Sequence, residues 1–135
     1  MKHLEKEGLC FFCNENYLQV GASPAERVTS WGYVKKNDYP YEGAVHQYLI
    51  VPHQHITNLD HLPLETLANL WLEIERLNRR LEVPGGSIFL RFGDPRYTGG
   101  TFGHLHFQFI VGGPKPDDWK PEDSIPMTLG YKVKK

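Results

Sequence analysis

The chain is 135 residues long, with 40% hydrophobic residues, 23% charged residues and a formal net charge of −1, a makeup that fits one globular domain around one core. The near-neutral balance excludes a strong field aimed at nucleic acid or an anionic membrane, and no apolar run approaches the roughly 20 residues of a membrane-spanning helix. The start, "MKHLEKEGLCFFC", carries charges where a signal peptide has its apolar segment, so a cytoplasmic protein is expected.

The first feature in chain order is the pair Cys10 and Cys13, at the Cys-x-x-Cys spacing shared by zinc sites and redox motifs. In a reducing compartment such a pair points to metal or redox chemistry more than to a structural disulfide. A thioredoxin-like site wants a βαβ context, and none follows. A zinc site wants two further ligands, and His53, His55 and His104 are available. The competing reading is two reduced thiols packed with Phe11 and Phe12. Strand-like runs follow at 17–20 ("YLQV") and 28–36 ("VTSWGYVKK"), then the turn-rich "NDYPYEG", then a strand at 46–52 ("HQYLIVP"). Trp31, Tyr33, Val34, Tyr39 and Tyr41 are aromatic and apolar residues suited either to a base pocket or to core and dimer contacts.

In "HLPLETLANLWLEIERLNRRLEVPGG", Leu64, Leu67, Leu70, Trp71, Ile74, Leu77 and Leu81 recur at helical spacing, which predicts an amphipathic helix whose stripe packs on the core. Pro63 suits the first helical position, Glu65 the positive N-terminal end, and Arg79 and Arg80 the other end, before the breaker "PGG". Strands are then predicted at 87–92 ("SIFLRF") and 104–111 ("HLHFQFIV"). Together these elements predict a single α+β domain over residues 1–135, an antiparallel sheet with one major amphipathic helix. Its core spans about 10–112, and an irregular tail occupies 113–135.

The chemistry concentrates in "GGTFGHLHFQFIVGG", Gly99 to Gly113. With a strand's period of two, His104, His106, Gln108 and Ile110 share one face, while Leu105, Phe107, Phe109 and Val111 face the core. Neutral imidazole is nucleophilic near pH 7 and can attack a phosphate ester, provided its other ring nitrogen is held as N–H by an acceptor. Donors must also meet charge developing on the phosphoryl oxygens. Gly100 and Gly103 offer backbone N–H groups approachable by an anion, Thr101 a hydroxyl, and Gln108 an amide. His106, central in the row, is the natural nucleophile. Arg91 and Arg96 flank the loop, and either could grip an outer phosphate or lie solvated.

These residues carry a resemblance. "HLHFQFIV" resembles the motif of the histidine-triad family, in which His-x-His-x-His is followed by apolar residues. "CFFC" is similar to the Cys-x-Phe-Cys entry of many bacterial members, and "NDYPYEGAVHQYLIVPHQH" to a stretch reading Asn-x-Tyr-Pro-Tyr, Gly-His, an apolar strand and Pro-x-x-His. "GHLHFQF" is especially like the branch that acts on dinucleoside polyphosphates. The resemblance covers most of residues 10–112. It implies a nucleotide-binding α+β fold, usually a homodimer, that transfers or hydrolyses nucleotidyl groups through a nucleotidyl-histidine. By matched position it implies His106 as nucleophile, Asn37 as the ribose contact, and Gly100 and Thr101 in the phosphate loop. Zinc-bearing relatives imply Cys10, Cys13, His55 and His104 as a closed Cys2His2 site, one structural zinc per chain.

The sequence departs from the pattern twice. The loop lacks a glutamine near Gly100, and the third triad position is Gln108, as in the uridylyltransferase and phosphorylase branches. Water needs a base to take its proton, whereas an acceptor phosphate is already anionic. An untitratable Gln108 therefore favours transfer to phosphate over hydrolysis. The expected function is thus a nucleotidyl transferase or hydrolase acting on nucleoside polyphosphates or nucleotide esters. Its rivals are a nucleotide-binding regulator with little turnover and a zinc-stabilised structural domain.

Overall fold

The run "HQYLIVP" is the most continuously apolar stretch near the middle of the chain, and it becomes the centre of the sheet. In the computed structural model, which describes residues 12–13, 24–100 and 103–134, it forms β3 (His46–Pro52), buried from Gln47 onward. Around it lie β1 (Arg27–Val28), β2 (Gly32–Lys36), β4 (Ser87–Leu90) and β5 (Phe107–Val111). The sheet order is β1-β2-β3-β5-β4, and every pairing is antiparallel. With one major helix, α1 (Leu64–Leu81), this is the expected α+β architecture. The run at 17–20 lies outside the described residues.

The predicted strand at 28–36 is in fact a hairpin. The Thr29 hydroxyl accepts from the N–H groups of Trp31 and Gly32 at 3.1 and 3.2 Å, and Thr29 N–H bonds the Gly32 carbonyl at 2.8 Å. A threonine side chain that satisfies two backbone donors offers the chain a turn in place of a ladder. The hairpin seats Gly32 opposite Pro52. A Cβ on Gly32 would lie 2.2 Å from the Val51 carbonyl oxygen, so this close approach requires glycine.

Helix α1 starts one residue later than its proline suggested. Pro63 has an extended backbone and caps the helix, its carbonyl accepting the Leu67 N–H at 3.0 Å. The helix ends at Glu82, which takes a left-handed conformation (φ 51°) and returns its N–H to Asn78. The expected core stripe splits. Leu70, Ile74 and Leu77 are buried against Val34, Tyr48, Ile50, Phe109 and Val111, with Leu81 and Phe107 at the margin. Leu64 and Trp71, by contrast, stay 82% and 47% exposed. Trp71 sits about 100° around the helix from Leu70, beyond the arc the sheet covers, and its indole N–H bonds Glu75 at 3.0 Å. Among the described residues, no helix is long and apolar enough to cross a membrane.

Because the helix covers the face bearing Val34, Tyr48, Ile50 and Phe109, strand alternation assigns Tyr33, Lys35, Gln47, Leu49, Val51 and Gln108 to the other face. The register lines Lys35, Leu49, Gln108 and Phe89 in one row across four strands. The strand predicted at 104–111 begins only at Phe107. Residues before it run beside the chain that leaves β3, with Leu105 N–H bonded to the Ile56 carbonyl at 2.7 Å. The run predicted at 87–92 ends as a strand at Leu90. Beyond β5 the tail is irregular apart from a helical turn at Pro121–Asp123.

Candidate functional site

Three segments meet at the start of β5: residues 12–13, the chain after β3, and the approach residues 103–106. Their meeting point is made of imidazoles and a thiol. The Cys13 sulfur lies 3.5 Å from His55 Nδ1 and 3.8 Å from His104 Nδ1, and the three ligand atoms fall within 4.8 Å of one another. Zinc bound at Zn–S of about 2.3 Å and Zn–N of about 2.0 Å in a tetrahedron separates sulfur from nitrogen by about 3.5 Å. The two sulfur–nitrogen distances are of that size.

The ring of His104 is set for the same task. Its Nε2 lies 2.9 Å from the Pro52 carbonyl oxygen. A carbonyl only accepts, so Nε2 carries the proton and Nδ1 keeps its lone pair toward Cys13 and His55. His104 is 1% exposed, and burial, with His55 nearby, pushes its pKa down to about 4 against the raising effect of its bond to Pro52. The ring is thus neutral and able to ligate. The expected fourth ligand, Cys10, lies outside the described residues. His53, the alternative histidine, donates Nε2–H to the Thr29 carbonyl at 2.7 Å instead.

His106 shows the arrangement a nucleophilic imidazole needs. Its Nδ1 is 2.9 Å from the His104 carbonyl oxygen, which fixes the proton there and leaves Nε2 with a lone pair. Burial lowers its pKa, opposed by that backbone bond and assisted by the positive charge of Arg91. A neutral ring is the nucleophilic form. Phe12 lies against the imidazole, with ring centroids 4.4 Å apart.

Gln108 is the hub of a carboxamide network. Its Oε1 accepts from Gln47 Nε2 at 2.7 Å and from Asn37 Nδ2 at 3.3 Å. Gln47 Oε1 accepts the Tyr41 N–H at 2.7 Å, and Asn37 Oδ1 accepts the Tyr39 N–H at 2.8 Å. With its oxygen doubly occupied, Gln108 has the NH2 of its amide as its donor end. Asn37, expected at the ribose, makes one hydrogen bond at each end of its carboxamide. Gln47 escaped the sequence reading. Its signal was there, as the polar member of an otherwise apolar alternation in "HQYLIVP".

The glycine loop is tied down more than the sequence suggested. Gly100 N–H donates to the Thr98 hydroxyl at 3.0 Å, so it is engaged within the loop. Gly103 is half-buried, and a Cβ added there would lie 3.6 Å from the Thr57 methyl, while Thr101 lies outside the described residues. Neither flanking arginine is idle. Arg91 donates Nε–H to the Thr98 carbonyl at 3.0 Å and an Nη2 hydrogen to the Thr128 carbonyl at 2.7 Å, its guanidinium 5.0 Å from the Phe89 ring centroid. Arg96 forks onto Asp94. Of the suggested pocket residues, Tyr33 and Val34 are buried on opposite faces of β2, and Tyr39 is exposed.

No known-family model matches the sequence, and comparison with curated protein sequences finds no match. Solved structures do match the fold, histidine-triad proteins among them. A HIT family hydrolase from Legionella pneumophila superposes with TM-score 0.64 at 18% identity, covering 81% of this chain and 97% of its own. A HIT family hydrolase from Clostridium thermocellum gives TM-score 0.62 at 22% identity, covering 83% and 94%. A histidine triad nucleotide-binding protein from Candida albicans gives 0.59 at 20%, covering 84% and 87%.

Proposed function

We propose that this protein is a nucleotidyl hydrolase or transferase of the histidine-triad type, acting on nucleoside polyphosphates or nucleotide esters through a covalent nucleotidyl-His106. The observation that carries this reading is the bond from His106 Nδ1–H to the His104 carbonyl, which leaves Nε2 as a held, unprotonated nucleophile. The neighbours in fold, two named hydrolases and one nucleotide-binding protein, support the same class.

In the first step Nε2 attacks the α-phosphorus. The P–N bond forms, the bond from phosphorus to the leaving oxygen breaks, and that oxygen takes the electron pair. The Gln108 amide hydrogens meet charge on the equatorial oxygens. In the second step an acceptor oxygen attacks the same phosphorus, the P–N bond breaks, and Nε2 regains its lone pair. Inorganic phosphate suits a site whose residue 108 is an amide, because it brings its own negative charge. Cys13, His55 and His104, with Cys10, would hold one structural zinc per chain. With four protein ligands the metal supplies order rather than chemistry. The exposed Leu64 and Trp71 of α1 fit a homodimer contact.

The test is mass spectrometry after brief incubation with candidate nucleotides. A nucleotidyl adduct is expected on His106, and His106→Ala should abolish turnover while retaining nucleotide binding. Turnover persisting in that variant above a small residue would end the covalent reading. One observation favours a second reading, a nucleotide-binding regulator. Gly100, Arg91 and Arg96 are all engaged within the protein, which thins the donors for an outer phosphate. Binding with neither adduct nor turnover would select it.

A further inference from the structure

The hydrogen bond from Nδ1 holds one edge of the His106 imidazole, and it leaves the plane of the ring loosely defined. Acceptance at a carbonyl oxygen is directionally broad, so the imidazole can rock about that bond while keeping it. The lone pair that attacks phosphorus lies in the ring plane. A rocking ring therefore aims Nε2 over an arc, where a near-attack geometry needs it fixed.

A face contact removes that freedom, and Phe12 supplies one. Its ring is tilted 32° to the His106 imidazole at a centroid separation of 4.4 Å, and it is 4% exposed. Phe12 is itself held at three points. Its carbonyl oxygen accepts the buried Tyr33 hydroxyl at 2.6 Å, and its ring meets His104 edge-on at 6.4 Å. The next residue is Cys13, which is in the metal-ligating cluster. A residue in the N-terminal segment, tied to β2 and to the cluster, thus lies against the group that the proposed chemistry depends on.

We propose that Phe12 is a positioning residue, which fixes the plane of the His106 imidazole for in-line attack and passes the order of the thiol–histidine cluster to the nucleophile. This role rests on His106 being the nucleophile, and two separate measurements keep the two ideas apart. The first is NMR of the His106 ring protons without nucleotide. A phenyl ring against the imidazole shifts them upfield; Phe12→Leu should abolish that shift, and Phe12→Tyr should keep it. The second is the single-turnover rate of adduct formation at saturating nucleotide. Phe12→Leu should lower this rate by about tenfold or more, since small misplacements of reacting groups carry costs of that order. It should leave nucleotide Kd within about twofold and metal content unchanged, whereas Phe12→Tyr should recover most of the rate.

Tyr33→Phe removes only the hydroxyl that holds the Phe12 carbonyl, and should give an intermediate loss of rate at unchanged Kd. It decides the matter if Phe12→Leu fails to fold. A parental rate of adduct formation in a folded Phe12→Leu protein, or in Tyr33→Phe if that alone folds, overturns the positioning role. So does an unmoved His106 ring signal. A parent protein that forms no adduct removes the nucleophile reading instead, and the positioning role falls with it.

Discussion

The carbonyl of His104 decides which nitrogen of His106 carries a proton, and the amides of Asn37 and Gln47 decide which end of the Gln108 amide is left to donate. Both are single-residue effects, and the second is testable by substitution. Gln108→Ala should slow formation and discharge of the adduct together, because a donor to the phosphoryl oxygens is lost, a contact worth a few kcal/mol in such sites. Gln108→His adds an imidazole, whose one unprotonated ring nitrogen can take a proton from water. It should recover part of the rate and raise the ratio of hydrolysis to phosphorolysis, read from product partitioning at fixed nucleotide and varied phosphate. An unchanged ratio with the adduct still forming would show that position 108 does not choose the acceptor.

At the scale of elements, two junctions fix where the site sits. One is the crossing of Gly32 in β2 beside the Val51 carbonyl in β3. Gly32→Ala drives a methyl group into backbone that cannot yield without spreading the two strands. Overpacking of this kind costs about 1–3 kcal/mol. The denaturation midpoint should fall with an unchanged slope, and an unaltered midpoint would mean the strands separate freely there. The other junction is the thiol–histidine cluster, which ties the segment at Phe12 and Cys13 to the chain after β3 and to the approach to β5. Purified protein should carry about one zinc per chain. Cys13→Ser should release it and lower the melting temperature, since metal-binding free energy adds to folding free energy. Absence of zinc from protein purified without chelators would reject the site.

Across the whole molecule, the tail after β5 is part of the loop's support. Arg91 bonds Thr98 in the glycine loop and Thr128 in the tail with one guanidinium. Gly99, in a left-handed conformation (φ 74°), lies so close to Thr128 that a Cβ would sit 2.5 Å from its methyl carbon. Loop and tail should therefore loosen together. In Arg91→Gln, amide hydrogen exchange should speed up at 97–100 and at 127–131 in parallel, while α1 and β3 keep their protection. Faster exchange in one segment alone would show that the two are not coupled.

Much of this molecule is readable along the chain, because it depends on near neighbours. The apolar run of β3, the helical spacing of Leu70, Ile74 and Leu77, and the His104–His106–Gln108 spacing are local periodicities. Each tells which side of its element faces the core. That was enough for the α+β class and for His106 as the candidate nucleophile. Partners distant in sequence were not readable in the same way. Cys13 meets His104 across 91 positions, Asn37 meets Gln108 across 71, and Gln47 meets Gln108 across 61. The Thr29 turn broke one predicted strand in two, and the sheet's limited width left Trp71 outside the core. The commitment of Arg91 to the tail appeared only once the chain had folded back on itself. Periodicity assigns a side chain to a face, whereas sheet register and chain reversal decide what it meets there. For that reason the sequence by itself determined the class of fold and pointed to His106 as the candidate nucleophile. Only the tertiary structure decided the tautomer-setting carbonyl, the donor end of Gln108 and the aromatic ring against His106.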